Sequence, residues 1–168
     1  MTRKTLKFTR TRDVKQPQRG TARSAGIDFF VPNDSQVITL LPHSDVLIPS
    51  GIKVNIPEGY MLIAENKSGV VTSRSACERI GRNPKKDAYE CSPIIGACVV
   101  DEDYQGEVHI HLINTGSSAI TIQPGTKIAQ FVLVPVEYCS VEEVPSDELY
   151  TSNTERGTGG FGSTNVHD

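Results

Sequence analysis

Two segments of the sequence gather residue types that could act on a phosphate ester. The first is GACVVDEDYQGEV, in which an apolar run ends at Asp101 and an aromatic residue, Tyr104, follows three positions later. An acid at the end of a strand, held by its neighbours, can orient and deprotonate a water molecule. A nearby aromatic ring can form the wall of a small pocket. Taken alone, however, the segment is better explained as a hairpin turn.

The second segment, RGTGGFGSTN, lies close to the end of the chain. Its glycines allow backbone N–H groups to approach an anion closely, and Ser163 and Thr164 add hydroxyl donors. Arg156 contributes a forked cation suited to phosphate oxygens, and Phe161 can stack on a flat ring. The spacing does not match a Walker loop. A disordered tail explains the glycines but not the other four residues, so we interpret the segment as an arm that orders over a nucleotide.

The elements that must position these segments are β-strands. EVHIHLINTG alternates, with Val108, Ile110 and Leu112 on one face and His109 and His111 on the other. KIAQFVLVPVEY predicts a further strand. Short strands separated by turns predict an all-β fold, a sandwich or a barrel.

Other parts of the chain depart from this β pattern. TSRSACERIGR is the one stretch with helical character, and GRNPKKDAYECSP indicates an excursion from the β body. From residue 140 onward the apolar period is lost, and the chain has the character of an arm. We therefore predict one β domain over residues 1–150 and a flexible arm over residues 151–168.

Composition excludes several classes of protein. At 168 residues the chain is about one domain long, and it contains no apolar run long enough to cross a membrane. The N-terminus is basic but has no apolar core typical of a secretory signal. The net charge of −3 argues against general nucleic-acid coating, although binding of DNA through the basic N-terminus is an alternative that predicts strong salt dependence.

Metal and disulfide sites are weakly indicated. The four cysteines have no C-x-x-C spacing, so a zinc site is not predicted. His109 and His111 share a strand face but lack a third ligand, and a polar outer face explains them better. Reduced thiols in a cytosol-like compartment are expected, while pairing of Cys77 with Cys91 stays open.

Five segments, in order, resemble the motifs of the trimeric-type dUTPase family. They are AGIDFF (25–30), ENKSGV (65–70), GACVVDEDYQGEV (96–108), PGTKIAQFVL (124–133) and RGTGGFGST (156–164). The resemblance implies a jelly-roll-like β fold that assembles as a homotrimer, with active sites at subunit interfaces and the C-terminal arm closing over a site. It also implies Mg²⁺-dependent hydrolysis of dUTP to dUMP and pyrophosphate, which keeps uracil out of DNA and supplies dUMP for dTMP synthesis. The second and third motifs are similar to those of phage-encoded members.

The resemblance assigns roles to individual residues. Asp101 matches the acid that activates water for attack on the α-phosphorus, and Tyr104 matches the ring that packs against deoxyribose. Asp28 matches an acid that reaches Mg²⁺ through a metal-bound water. The substrate-binding set is Lys67, Ser68, Gly69, Gly96, Ala97, Cys98, Val99, Tyr104, Gln130, Arg156, Gly159, Gly160, Phe161, Gly162, Ser163 and Thr164.

Three features depart from the family pattern. Lys67 stands where the second motif usually has Arg, so the bidentate fork is lost. Cys98 stands where Gly is frequent and could crowd the base edge. Residues 73–92 form an insertion before the third motif. It could cap the base pocket, extend the trimer contact or bind a protein partner, and a tolerated surface loop is an equal alternative.

Two rival functions share the expected scaffold. A dCTP deaminase carries a catalytic Glu where this chain has His111, and it lacks the glycine-rich arm, so the triphosphatase is favoured. A regulatory binder that uses the insertion as its contact surface is compatible with intact motifs. We expect dUTP and further copies of the chain as partners, with neither membrane nor stable nucleic-acid binding. The expected location is the cytoplasm, or the host cytoplasm for a phage-encoded member.

Overall fold

Runs of β-branched and large apolar residues, separated by Gly, Pro and Asn, form strands throughout the structure. The computed structural model describes residues 4–71, 77–79, 93–97 and 99–159. The strands of these ranges are β1 (Lys7–Arg10), β2 (Gln18–Arg19), β3 (Gly26–Phe30), β4 (Ile38–Leu40), β5 (Asp45–Asn55), β6 (Tyr60–Asn66), β7 (Cys77–Arg79), β8 (Pro93–Ile95), β9 (Val99–Val100), β10 (Glu107–Asn114), β11 (Ile120–Ile122) and β12 (Lys127–Pro135). Within the described residues one helix is present, α1 (Ser68–Val71).

The described strands pair into three antiparallel sheets. One has the order β1-β5-β10-β8, a second has β2-β3-β12-β6-β9, and a third has β4-β11-β7. Neighbours in these orders are often distant in sequence, which is typical of a sandwich with crossing connections. The all-β prediction is therefore confirmed, and described residues of the first four motif segments lie on strands or at strand ends of this framework.

The core takes buried side chains from all three sheets, including Ile120 and Ile122 of β11. On β10, Val108, Ile110 and Leu112 are each 1% exposed, while His109 is exposed and His111 is half-buried. The alternation predicted for this strand is confirmed. From the sheet that contains β3 and β12, the rings of Phe29 and Phe131 meet with centroids 4.5 Å apart, a tilted contact that aromatic pairs prefer.

A buried amide closes the end of β10. Asn114 is fully buried, and its Nδ2 donates to the carbonyl oxygens of Leu40, Leu41 and Ser118 at 3.3, 3.0 and 2.9 Å. Its Oδ1 accepts the Gly116 N–H at 3.0 Å. These bonds join carbonyls at the end of β4 to the turn after β10, so one side chain ties the two segments together.

The helical character predicted for TSRSACERIGR is wrong for Cys77–Arg79, which forms β7. This strand pairs with β11, Cys77 opposite Ile122 and Arg79 opposite Ile120. The open edge of β11 offers backbone partners, and such tertiary pairing overrides a weak local helix preference. Part of the insertion thus belongs to a sheet of the β body. Residues 80–92 lie outside the described residues, so pairing of Cys77 with Cys91 stays open.

The chain divides between Glu137 and Tyr138 into two compact units. The described part of the second unit, residues 138–159, has no strand and is exposed almost throughout. Turns such as the one closed by the Glu148 N–H and the Pro145 carbonyl, 3.0 Å apart, organise it locally. The arm boundary at residue 151 stays a prediction. Among the described residues there is no helix long and apolar enough to span a membrane.

Replacing Asn114 with Ala should lower the free energy of unfolding by about 2–3 kcal/mol, because it removes four hydrogen bonds of a fully buried side chain. Denaturant unfolding measures this change. Asn153→Ala, at an exposed position of the second unit, is the matched control and should leave the midpoint unchanged. Equal midpoints for the two variants would contradict the role given to Asn114.

Candidate active site

The turn after β9 presents Asp101 at the edge of a sheet. Val100 and Val99 pair with Leu62 and Ile63 of β6, and the chain leaves the sheet at the next residue. The Tyr104 N–H donates to the Asp101 carbonyl at 3.2 Å, which closes a turn. The segment therefore forms a turn, as its sequence alone suggested. The same turn leaves Asp101 exposed.

A cavity of about 220 Å³ lies beside this turn. Four residues predicted for the site border it together, namely Ala97, Val99, Asp101 and Tyr104. Phe131 of β12 and His109 of β10 also border it. A carboxylate, an aromatic ring and apolar walls thus meet around one small space, the combination that ligand pockets commonly show.

The Tyr104 ring is held in place from two sides. Its hydroxyl donates to the Glu107 carbonyl at 3.0 Å, and His109 Nδ1 bonds the same carbonyl at 2.9 Å. A Cβ on Gly106 would lie 2.2 Å from the Tyr104 hydroxyl oxygen. Since side-chain atoms cannot approach so closely, a glycine at position 106 is what allows the ring to lie over the turn.

The hairpin between β8 and β9 is pinned by two side chains that the sequence analysis did not place in the site. Asn66 Oδ1 accepts the Ile95 N–H at 2.8 Å, and His111 Nδ1 accepts the Ala97 N–H at 3.0 Å. No pattern within one sequence marks either residue. Asn66 lies inside the ENKSGV motif, and its role depends on a segment 29 positions away. Cys98, predicted for this hairpin, lies outside the described residues.

Two lysines converge on one buried carboxylate. Asp28 is 3% exposed; its Oδ1 lies 3.0 Å from Lys67 Nζ and its Oδ2 lies 3.1 Å from Lys127 Nζ. Two ammonium groups and one carboxylate carry one net positive charge. Lys67 was predicted to bind phosphate, whereas Lys127 was not singled out. A cluster with this charge favours phosphate oxygens over a bare cation.

Strand register brings the first, second and fourth motifs into line. Gln130 of β12 lies opposite Asp28 on one side and Glu65 on the other. Its Nε2 donates to the Asn66 carbonyl at 2.9 Å, and its side chain covers Gly26, where a Cβ would meet Oε1 at 2.2 Å. Ser68 and Gly69 follow in α1, which begins directly after Lys67. The predicted phosphate-side residues are therefore neighbours across three strands.

The described residues contain no group of three or more His, Cys, Asp or Glu side chains arranged for a metal. Both Asp28 oxygens already bind ammonium groups, but each retains a lone pair that can accept from a water molecule. The residues thus fit Mg²⁺ that keeps its water shell and is carried by phosphates, the usual mode for this ion. They do not fit an ion held directly by the protein.

The second unit contributes the start of the glycine-rich segment. Arg156 Nε donates to the Gly159 carbonyl at 2.9 Å, and Thr154 Oγ1 accepts the Gly157 N–H at 3.1 Å. Gly157 has a φ of +49°, a conformation that L side chains rarely adopt. The other predicted arm residues, Gly160, Phe161, Gly162, Ser163 and Thr164, lie outside the described residues.

Two acidic residues of the turn at residues 101–104, Glu102 and Asp103, have different environments, and this difference can be tested. Glu102 Oε2 accepts the Gly59 N–H at the turn between β5 and β6, while Asp103 is exposed. Glu102→Ala should therefore lower the free energy of unfolding by about 1–2 kcal/mol, measured by denaturant unfolding. Asp103→Ala, the matched control, should change it by less than about 0.5 kcal/mol. A loss of the same size in both variants would mean that the Gly59 contact is not what stabilises the turn.

Comparison with known proteins matches this geometry to one family. The dUTPase family model matches residues 12–165. The deoxyuridine 5'-triphosphate nucleotidohydrolase of Chlamydia muridarum is 36% identical over 148 residues, which are 88% of this chain and 89% of that protein. The corresponding protein of Fusobacterium nucleatum is 34% identical over 159 residues, 95% of each chain.

Solved structures show the same fold. The Staphylococcus bacteriophage 80alpha dUTPase with dUpNHpp has a TM-score of 0.73 at 24% identity, covering 96% of this chain and 99% of that one. The dUTPase of phage phi11 of S. aureus has a TM-score of 0.67 at 21% identity, covering 88% and 100%. With this fold and these relatives, the chain belongs to the dUTPase family and is an enzyme of the dUTP diphosphatase class.

Proposed function

We propose that the cavity beside Asp101 is where the chain hydrolyses dUTP to dUMP and pyrophosphate. The observation that carries this proposal is the meeting of Asp101, Tyr104 and the hairpin residues Ala97 and Val99 around one space. The Asp101 carboxylate can activate water, the Tyr104 ring can pack against the sugar, and the backbone of the hairpin can hydrogen-bond the base. The neighbouring 80alpha dUTPase was solved with dUpNHpp, which supports a nucleotide in the corresponding place.

The base and the sugar lie against different parts of the cavity. The hairpin can present backbone donors and acceptors to the uracil edge without any side chain. The Tyr104 ring packs against deoxyribose and leaves no room for a 2′-hydroxyl. Because the ring is fixed through the Glu107 carbonyl, it cannot easily move aside for a ribonucleotide.

Asp101 acts as the general base. Its carboxylate takes a proton from a water molecule as the water oxygen forms a bond to the α-phosphorus. The bond between the α-phosphorus and the bridging oxygen breaks, and pyrophosphate leaves with that electron pair. The exposed position of Asp101 on the turn gives a water molecule access to it.

Cationic and hydrogen-bonding groups hold the triphosphate. Lys67 and Lys127, oriented by Asp28, attract its oxygens, and Ser68, Gly69 and Gln130 add donors nearby. Arg156, Gly159 and the remaining glycine-rich residues of the arm bind the γ-phosphate and cover the base. Asp28 would hold Mg²⁺ through a water molecule, and the ion would supply positive charge that offsets the charge of the phosphates and of the leaving pyrophosphate. Lys67 supplies charge without the bidentate fork of an arginine.

A homotrimer is part of the proposal, with the arm of one copy serving a site that other copies help to build. Exposed apolar side chains support assembly, since Leu47 and Val99 border the cavity and are 57% and 55% exposed. Large exposed apolar side chains at a site commonly mark a contact surface. The role of residues 73–92 as a protein contact stays a prediction.

The test is a pyrophosphate-release assay with dUTP, dCTP, dTTP and UTP, with ammonia followed in parallel. Pyrophosphate from dUTP alone is expected. Asp101→Asn should lower kcat by about 10²–10⁴-fold, the range for loss of a general base, while dUpNHpp still binds. Asp103→Asn, two positions along the same turn, is the matched control and should retain turnover. Ammonia from dCTP, or unchanged turnover in Asp101→Asn, would overturn the proposal.

Tyr104 is expected to set sugar selectivity. Tyr104→Ala should raise kcat/KM for UTP relative to dUTP at least about tenfold, because it removes the wall that excludes the 2′-hydroxyl. Tyr104→Phe keeps the ring and should keep most of the discrimination. The ratio of the two kcat/KM values measures the effect. If Tyr104→Ala discriminates as well as the unaltered enzyme, the sugar wall lies elsewhere.

A further inference from the structure

His111 contacts the hairpin at two successive residues. The Gly96 N–H donates to the His111 carbonyl at 2.9 Å, and the Ala97 N–H donates to its Nδ1 at 3.0 Å. The first bond is an ordinary extension of the pairing between β10 and β8. The second uses the side chain, and it is made where the hairpin leaves the sheet and reaches the cavity.

These bonds determine which ring nitrogen carries the proton. A backbone N–H can only donate, so Nδ1 must accept and must be unprotonated. In the neutral ring the proton therefore lies on Nε2, which is 3.0 Å from Asp45 Oδ2 and donates to it. The carboxylate, the imidazole and the Ala97 amide form one chain of hydrogen bonds that runs from β5 to the hairpin.

Packing reinforces the contact. A Cβ on Gly96 would lie 2.3 Å from His111 Nδ1, so the imidazole lies directly against the backbone of Gly96. The His111 side chain is 24% exposed, whereas Asp45 is 64% exposed. A contact with such an exposed carboxylate adds little energy. The bond to Ala97 and the packing on Gly96 are the parts that can fix the hairpin.

We propose that neutral His111 is the positioning residue of the base-reading hairpin, and that its protonation releases the hairpin. A protonated ring donates from both nitrogens, so Nδ1 no longer accepts the Ala97 N–H. The titratable groups that face the ring among the described residues are Asp45 from β5 and, along the same face of β10, Glu107 and His109.

The inference rests on the proposed function in one respect, namely that the hairpin reads the base. Loss of the His111 contact leaves Asp101 and the phosphate side untouched. It should therefore raise KM for dUTP and weaken the preference for dUTP over dCTP, with a smaller change in kcat. A merely structural role would lower stability without this separation of KM from kcat.

The tautomer and the bond can be observed without any substrate. NMR of the ¹⁵N-labelled enzyme should show His111 protonated at Nε2 only, with a coupling across the hydrogen bond between the Ala97 nitrogen and Nδ1. Lowering the pH until the ring is protonated should abolish the coupling and speed exchange of the Ala97 amide. Either a proton on Nδ1 at neutral pH or an Ala97 amide exchange rate that does not change when the ring is protonated would overturn the proposal.

Kinetics with matched variants test the consequence for the base. His111→Leu should raise KM for dUTP about tenfold, as expected for one lost hydrogen bond with an unpaired donor left behind. His111→Asn places an amide oxygen near the position of Nδ1 and cannot titrate. It should restore most of the affinity and remove the rise in KM on acidification that the proposal expects of the unaltered enzyme. His43→Asn, at an exposed turn, is the control and should leave the pH profile unchanged.

The two proposals fail in different ways. An enzyme that turns over no nucleotide, yet shows the Nε2 tautomer and the coupling, refutes the proposed function and leaves the His111 contact standing. Normal dUTP turnover with the same KM in His111→Leu refutes the role of His111 alone. If His111→Leu does not fold, the comparison of His111→Asn with the unaltered enzyme across pH still decides, because a persisting acid rise in KM contradicts the proposal.

Discussion

A buried negative charge governs the phosphate side of the site. Asp28 lies in β3 with almost no exposure, and an unpaired carboxylate there would cost several kcal/mol. Lys67 and Lys127 approach it from the ends of two different elements. The two ion pairs thus join β3 to the residue after β6 and to the first residue of β12. The two lysines leave one excess positive charge beside Asp28, which is the feature that the proposed triphosphate site uses.

The part of the site around the cavity depends on close packing of side-chain rings against glycine backbone rather than on charge. Two glycines make room for two rings, Gly106 for Tyr104 and Gly96 for His111. In each case the ring also hydrogen-bonds the backbone beside it. Aromatic side chains held in this way lose little further entropy when a ligand arrives, so the walls of the cavity are organised before binding.

The sequence predicted the parts of the site that depend on local pattern. Alternation gave the faces of β10, and five ordered motifs pointed to Asp101, Tyr104, Gln130 and their neighbours. Contacts between distant segments were not predictable, because one sequence contains no signal for them. Asn66, which bonds the hairpin, and Lys127, which shares Asp28 with Lys67, are such cases. His111 was noted as a polar residue on an outer face and as the position where a deaminase carries Glu, but not as a contact of the hairpin.

The error at Cys77–Arg79 has the same origin. Local composition allowed a helix there, and a free edge of β11 selected a strand. Helix preferences of a few tenths of a kcal/mol per residue are easily outweighed by backbone pairing. Residues 73–92 thus looked separable from the β body in the sequence, although three of them extend a sheet.

That pairing also determines how the insertion can be removed. In the described part of the chain, β11 lies between β4 and β7, so excision of all of residues 73–92 would uncover one side of Ile120–Ile122. Bare strand edges recruit other chains, and a shortened enzyme could then precipitate for reasons unrelated to a lost partner. A variant that retains Cys77–Arg79 and replaces only the insertion residues after Arg79 would keep the edge of β11 covered. Cys77–Arg79 is therefore the described part of the insertion on which the covered edge of β11 depends.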